Sequence, residues 1–214
     1  MLAWDDAAFA LDGDRLIVDA TDPAWAFERY ANPVMSLAIA AASGAAFHCF
    51  AVATEHGTAA VMGGSGYGKT SIGRELLARG GRLVCDDLLA FDVDGAVRPG
   101  PAFVRTADGN DDDLDPGGKH RRTVAAVHDR VDIDVVVVLT REVTGLARVE
   151  RQLAAVDTIL EQVYSPIAAT PEVREVHLRR AVDLATRAEV WWCERHHDTP
   201  ARLADRIGSI LPAG

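Results

Sequence analysis

The chain has 214 residues, 49% of them hydrophobic and 25% charged, which suits one well-cored globular domain. Its formal net charge of −10 argues against a nucleic-acid backbone or an anionic membrane as main partner, since an acidic surface attracts neither. Cys49, Cys85 and Cys193 lie far apart with no C-x-x-C pair, so neither a disulfide framework nor a zinc site is expected, and the odd number suits a reducing cytoplasm.

The first six residues carry Asp5 and Asp6 where a secretory signal carries base, so no export signal is expected. Ala7–Leu11 and Arg15–Val18 flank Asp12-Gly13, the composition of a hairpin turn between two short strands. Asp22-Pro23 predicts a helix start, with Asp as N-cap and Pro at the first helical position, and that helix should end by Asn32-Pro33. Val34–Ala53 is the one long apolar run; it is rich in Ala, Ser and Gly and interrupted by His48, so it reads as buried core rather than a membrane span. Within it, Met35–Ala42 fits a buried helix and a strand equally well.

His48–Ala53 and Thr58–Met62 predict two strands joined across Glu55-His56-Gly57. The second delivers the chain into Gly63-Gly64-Ser65-Gly66-Tyr67-Gly68-Lys69-Thr70, which fits G-x-x-x-x-G-K-[ST]. In that pattern glycines let successive backbone N–H groups turn around phosphate oxygens, and the following helix presents its positive end. The residues from Gly63 through Gly68, with Lys69, Thr70 and Ser71, are therefore the expected nucleotide-binding set: Lys69 to reach the β and γ phosphates, the Thr70 hydroxyl to bind Mg²⁺. Of 22 basic residues only Lys69 and Lys119 are lysines, so a chain that otherwise uses Arg keeps a compact ammonium where the cradle needs one.

Ile72, Leu76 and Leu77 continue as a helix that Gly80-Gly81 stops, and Arg82–Cys85 predicts a strand ending at Asp86-Asp87. Carboxylates at such a strand end are suited to holding Mg²⁺. Adjacent strand residues point to opposite faces, so the two acids should do different jobs. Asp86 is assigned here to the metal and Asp87 to the general base, a division the residues leave open. Two short strands are expected around Asp94-Gly95, and Pro99–Arg122 reads as one long loop. Within it Lys119, Arg121 and Arg122 follow a Gly-Gly hinge and form a phosphate- or substrate-facing loop or a solvated one. Val131–Thr140 contains a β-branched run fit for a central strand, Val149–Tyr164 and Val173–Thr186 predict helices, Val190–Cys193 a strand, and Pro200–Leu211 a closing helix. His196-His197 beside Asp198 reads as a surface turn rather than a metal pair. The alternation predicts an α/β domain.

His48 lies fifteen residues ahead of Gly63, Asp86 seventeen after Lys69, and Gly80-Gly81-Arg82-Leu83-Val84-Cys85-Asp86-Asp87 forms a continuous phrase. On these features His48–Asp87 resembles the nucleotide-binding core of HPr kinase/phosphorylase. The resemblance implies an α/β P-loop kinase of the HPr kinase and PEP carboxykinase-like type, with a mixed central sheet flanked by helices. It implies one catalytic domain over 1–214, with an N-terminal hairpin and helix (1–47), the P-loop core (48–98), a loop (99–122) and a C-terminal half (123–214). A separate N-terminal domain and the family's downstream signature region are not found, so the chain looks more like the short HPr-kinase-like serine kinases, some encoded with lasso-peptide precursors. The resemblance further implies transfer in the kinase direction only, with ATP and Mg²⁺ as cofactors, His48 orienting or tuning a catalytic carboxylate, and a peptide or protein serine as acceptor. A small hydroxylated metabolite, or a non-catalytic nucleotide-binding module, is the alternative, and a homo-oligomer is left open.

Overall fold

The computed structural model describes all residues except 14, 43, 107–113, 115–117, 142, 165–169, 196–197 and 213–214. The middle of the 99–122 segment and the His196-His197 turn therefore lie outside the described residues.

Three N-terminal strands, β1 (Leu2–Ala3), β2 (Ala7–Asp12) and β3 (Arg15–Ala20), make a small antiparallel sheet in which Asp12 pairs with Arg15 across the turn. Two helices come next, α1 (Pro23–Arg29) and α2 (Ala31–Ala41). The Asp22 side chain accepts the Trp25 N–H at 3.0 Å, the cap its position before Pro23 predicts. Helix α1 ends at Arg29, ahead of Asn32-Pro33 as expected, and Asn32-Pro33 falls in the first turn of the next helix, α2, where proline's missing N–H has no intrahelical partner to lose. Phe9, Ala26 and Val34 form a separate small core here, closed by Trp4 stacked on Tyr30 with ring centres 4.2 Å apart.

The main sheet is mixed. It contains β4 (Ala45–Thr54), β5 (Gly57–Met62), β6 (Arg82–Cys85), β7 (Leu88–Phe91), β8 (Val97–Arg98), β11 (Val135–Thr140), β12 (Leu146–Arg148) and β13 (Glu189–Glu194), in the order β12-β13-β11-β5-β4-β7-β8, with β6 also on β4. Strand β11 runs parallel to both β5 and β13, while β4 is antiparallel to β5. Along β11, Val135, Val137 and Leu139 enter one core and Val136 and Val138 the other. That alternation, with helices on both sides, explains the unbroken apolar run.

Helices α3 (Lys69–Ala78) and α6 (Pro200–Ile210) cover one face, where Ile72, Leu203 and Ile207 pack on Phe50 and Val61. Helices α4 (Gln152–Leu160) and α5 (Pro171–Arg187) cover the other, bringing Ile159 and Leu184 against Phe47 and Met62. Among the described residues no helix is long and apolar enough to cross a membrane. The apolar run Val34–Ala53 divides between α2 and β4, and Met35–Ala42, ambiguous in sequence, is helical to Ala41.

The expected long loop is corrected by the structure. Strands β9 (Phe103–Thr106) and β10 (His120–Thr123) pair antiparallel in register Phe103 to Thr123, so Pro99–Arg122 carries an excursion from a two-stranded ribbon rather than a continuous loop. The 1–47 segment is likewise richer than a hairpin and one helix, and helix α4 is shorter than Val149–Tyr164, since the Val149 N–H donates to the Val190 carbonyl of β13 and Val163 and Tyr164 pair with β4.

Candidate functional site

The phosphate loop joins the end of β5 to α3. Gly63, Gly66 and Gly68 have φ of 143°, 77° and 86°, a region that L side chains rarely adopt. At Gly63 a Cβ would also come to 3.0 Å from the Leu139 Cβ, so a larger residue would have to displace that neighbour as well. Gly64, Ser65 and Gly66 are exposed at the tip. Helices α1, α5 and α6 each receive a side-chain cap, from Asp22, Thr170 and Thr199, but α3 begins at Gly68 with no side-chain cap and no acid in its first turn. The amino end of α3 thus keeps its N–H groups and positive potential for an anion.

Lys69 is buried, and its ammonium donates to the carbonyls of Gly63 at 2.8 Å and Gly64 at 3.2 Å, folded back along the loop. Burial pushes its pKa below the usual lysine value, with Asp87 and Asp86 opposing that shift. Ser71 is exposed on α3 and lines a second cavity with Arg122, away from the loop tip. The Tyr67 ring lies against Gly64 and beneath the Arg141 guanidinium, which sits 5.4 Å from the ring centre.

The acid pair sits where the edge of the sheet changes strand. Strand β4 pairs with β6 through Ala51–Ala53 and with β7 through Ala45–His48, and the register shifts between Ala51 and Val52. Asp86 and Asp87 form the bend between β6 and β7, held by the Cys49 N–H donating to the Asp87 carbonyl at 3.2 Å. They are therefore not neighbours on a strand, as the spacing suggested. Their different surroundings come from the bend, in which Asp87 has φ of +72°, the one described non-glycine residue with positive φ. Such a conformation costs a residue other than glycine about 1 kcal/mol and is found disproportionately at functional sites.

Asp86 faces the phosphate loop. The Thr70 hydroxyl lies 3.5 Å from its Oδ1, and the Arg105 N–H donates to its Oδ2 at 2.7 Å. Burial, reinforced by the neighbouring Asp87 charge, pushes the Asp86 carboxyl up to about 6. Asp87 turns the other way. His48 Nε2 on β4 stands 3.7 Å from its Oδ1, and the Asn32 amide donates to its Oδ2 at 3.4 Å. Burial alone would raise the Asp87 carboxyl, but His48, Lys119 and Arg105 together bring it below the usual carboxylate value. The two acids thus differ in proton affinity, Asp86 being the weaker acid and Asp87 the stronger.

The ribbon divides the three basic residues singled out in its second half. Lys119 acts electrostatically on Asp86, Asp87 and Lys69, so it belongs to this centre. Arg121 instead pairs with Glu28 at 3.4 Å and covers the Phe103 ring, while Arg122 faces α3.

Sequence reasoning did not find Arg195, Arg141, Asn32 and Arg105. Arg195 lies just after β13, its Nη2 reaches the Gly66 carbonyl at 3.5 Å, and its Nε is buried with no hydrogen-bond partner among the described residues. Arg141 lies just after β11. Both stand just past strands parallel to the one feeding the phosphate loop, where α/β sheets gather ligand contacts, but that placement needs the strand order. Asn32 lies 55 residues from Asp87 with no motif around it.

Hard oxygen donors at Thr70 and Asp86 fit Mg²⁺, which commonly takes one or two protein ligands beside phosphate oxygens and water. Among the described residues no group of three or more His, Cys, Asp and Glu forms a closed metal cage.

No family model and no curated protein matches the chain in sequence. Among solved structures, the Hpr(Ser) kinase/phosphatase from Coxiella burnetii is similar over 77% of this chain and 94% of that chain, at 12% identity and a TM-score of 0.44. At that score the likeness assigns no activity to this chain.

Proposed function

We propose that the chain is an ATP-dependent, Mg²⁺-requiring phosphotransferase acting on a serine hydroxyl of a peptide or protein. The observation that carries this reading is the convergence of the uncapped amino end of α3, Lys69 and Thr70 with two carboxylates in unlike electrostatic states, Asp86 3.5 Å from the Thr70 hydroxyl and Asp87 turned toward His48. A binding switch requires the cradle; it does not require a second, separately oriented carboxylate.

Phosphoryl transfer asks a protein mainly for positioning and charge neutralisation. The backbone from Gly63 to Gly68 and the ammonium of Lys69 hold the β and γ phosphates of ATP. Thr70 and Asp86 would hold the Mg²⁺ that neutralises phosphoryl oxygens when bound. The serine oxygen attacks the γ-phosphorus, a phosphorus–oxygen bond forms, and the bond to the β–γ bridging oxygen breaks with its electron pair leaving on ADP. The serine proton passes to the Asp87 carboxylate, which its depressed pKa keeps ionised and available at neutral pH. Lys119 and Arg195 stand near enough to offset the charge gathering on the transferred group. A cytoplasmic setting supplies ATP and suits three free, buried cysteines.

The test is incubation of the full chain with Mg²⁺, ATP and the peptides encoded beside its gene, followed by mass spectrometry. A gain of one phosphate on a serine supports the reading. Consumption of a free hydroxylated metabolite with every peptide unmodified would move the acceptor to a small molecule.

A further inference from the structure

A cleft of about 1040 Å³ opens beside the acid pair. One wall is helical, with Met35 and Ile39 of α2; the other is the approach to the β9–β10 ribbon, with Pro101 and Phe103; Leu88 and Ala90 of β7 line its floor. Met35, on the wall, is 43% exposed, and Val93, past the end of β7, 62% exposed. The inner end of the cleft is Asp86 together with Asn32, the residue that hydrogen-bonds Asp87.

Three features identify the occupant. First, the lining is predominantly apolar, so the body of the acceptor is apolar and its reacting hydroxyl points to the acid end. Second, the charges of the lining are already matched: Glu28 with Arg121 at 3.4 Å, Asp92 with Arg98 at 3.0 Å, and Asp86 under the influence of Arg105. A charged acceptor side chain would find no counter-ion there without breaking one of these pairings. Third, the lining follows the extended strand β7 from Leu88 to Phe91, about 10 Å at roughly 3.3 Å per residue, and goes on to Val93, so it reaches several residues beyond the acid end.

We propose that this cleft is the acceptor channel, and that it takes an extended peptide whose reacting serine lies at the acid end and whose adjoining residues are uncharged and apolar. The Glu28–Arg121 pair joins α1 to β10 at the exposed rim of the cleft. The inference rests on the phosphotransferase reading and deepens it by naming the acceptor's chemistry.

The experiment uses the full chain with Mg²⁺ and labelled ATP on two sets of ten-residue peptides, each with one serine. In one set the flanks are Leu, Val and Ala; in the other they are Lys, Glu and Gly. Burying an unmatched charge costs well over 1.4 kcal/mol, so kcat/KM for the apolar set should exceed that for the charged set by at least about tenfold. Met35→Arg and Val93→Arg change exposed side chains and should each raise KM for the apolar set by about tenfold or more, while calorimetric affinity for Mg–ATP and the melting temperature stay unchanged. Equal rates for both sets, or unaltered KM in both variants, would overturn the channel while leaving phosphotransfer standing. Faster transfer to a free aliphatic alcohol than to any peptide would overturn the peptide occupant, as would a concentration-dependent dimer dissolved by Met35→Arg. No transfer to any acceptor would overturn both this inference and the reading beneath it.

Discussion

Replacing Asp86 with asparagine should make the protein more stable while removing its function. Burial raises the Asp86 carboxyl from 3.8 to about 6. A folded-state pKa above the unfolded value means that this group's contribution is fully present below pH 3.8 and is lost as pH rises through about 6. At pH 8 the ionised side chain therefore costs the fold roughly 3 kcal/mol. Asparagine is never ionised, and its amide oxygen can still accept the Arg105 N–H that Asp86 accepts at 2.7 Å. Allowing for imperfect replacement, Asp86→Asn should stabilise the protein by roughly 1–3 kcal/mol at pH 8, and the gap should narrow by about half at pH 5. Urea unfolding followed by tryptophan fluorescence, in EDTA and without nucleotide, measures both values. Adding Mg–ATP should reverse the order, because the ligand stabilises the form that binds it. A variant less stable than the parent at pH 8, or a gap independent of pH, would refute the burial of an ionised Asp86.

Three further substitutions test other parts of the account. Lys69→Ala should abolish ATP turnover and leave the circular dichroism spectrum unchanged, since among the described residues the ammonium hydrogen-bonds to loop carbonyls alone; normal turnover would exclude the phosphate cradle. Gly73→Ala should destabilise the fold by about 1–3 kcal/mol in denaturant, because its Cβ would fall 2.1 Å from the buried Phe50 ring; an unchanged midpoint would mean that α3 can lift from β4 without cost. Arg195→Ala should weaken ATP more than ADP in calorimetry and lower the turnover rate, as its Nε is buried beside the phosphate loop without a hydrogen-bond partner among the described residues; equal effects on the two nucleotides would assign Arg195 to loop packing alone.

What the sequence made legible was whatever lies in one continuous stretch. The phosphate loop, the strand before it and the helix after it are local, and local spacing carries them. The cap at Asp22 is equally local, directly before a proline; Thr170 and Thr199 cap two later helices in the same way, although the apolar pattern starts the first of these at Val173 and points to neither cap. Strands β9 and β10 were hidden because four-residue strands flanked by Gly, Pro and Asp resemble a loop in composition, and only their mutual pairing makes them strands. The different environments of Asp86 and Asp87 were expected from strand alternation, yet arise from a bend with a left-handed Asp87, which composition does not reveal. Asn32 against Asp87 and Arg195 against Gly66 join residues far apart in the chain, and their meeting depends on how α2 and β13 are placed.

The central claim is that Asp87 accepts a proton while the neighbouring phosphate loop presents ATP. The direct measurement is the single-turnover rate of labelled γ-phosphoryl transfer to a serine peptide, compared between the parent chain and Asp87→Asn at saturating Mg–ATP. General-base catalysis typically contributes about 10²–10⁴-fold, so the variant should bind Mg–ATP within a few fold of the parent and transfer phosphate slower by that factor. Transfer by Asp87→Asn at the parent rate would contradict the account.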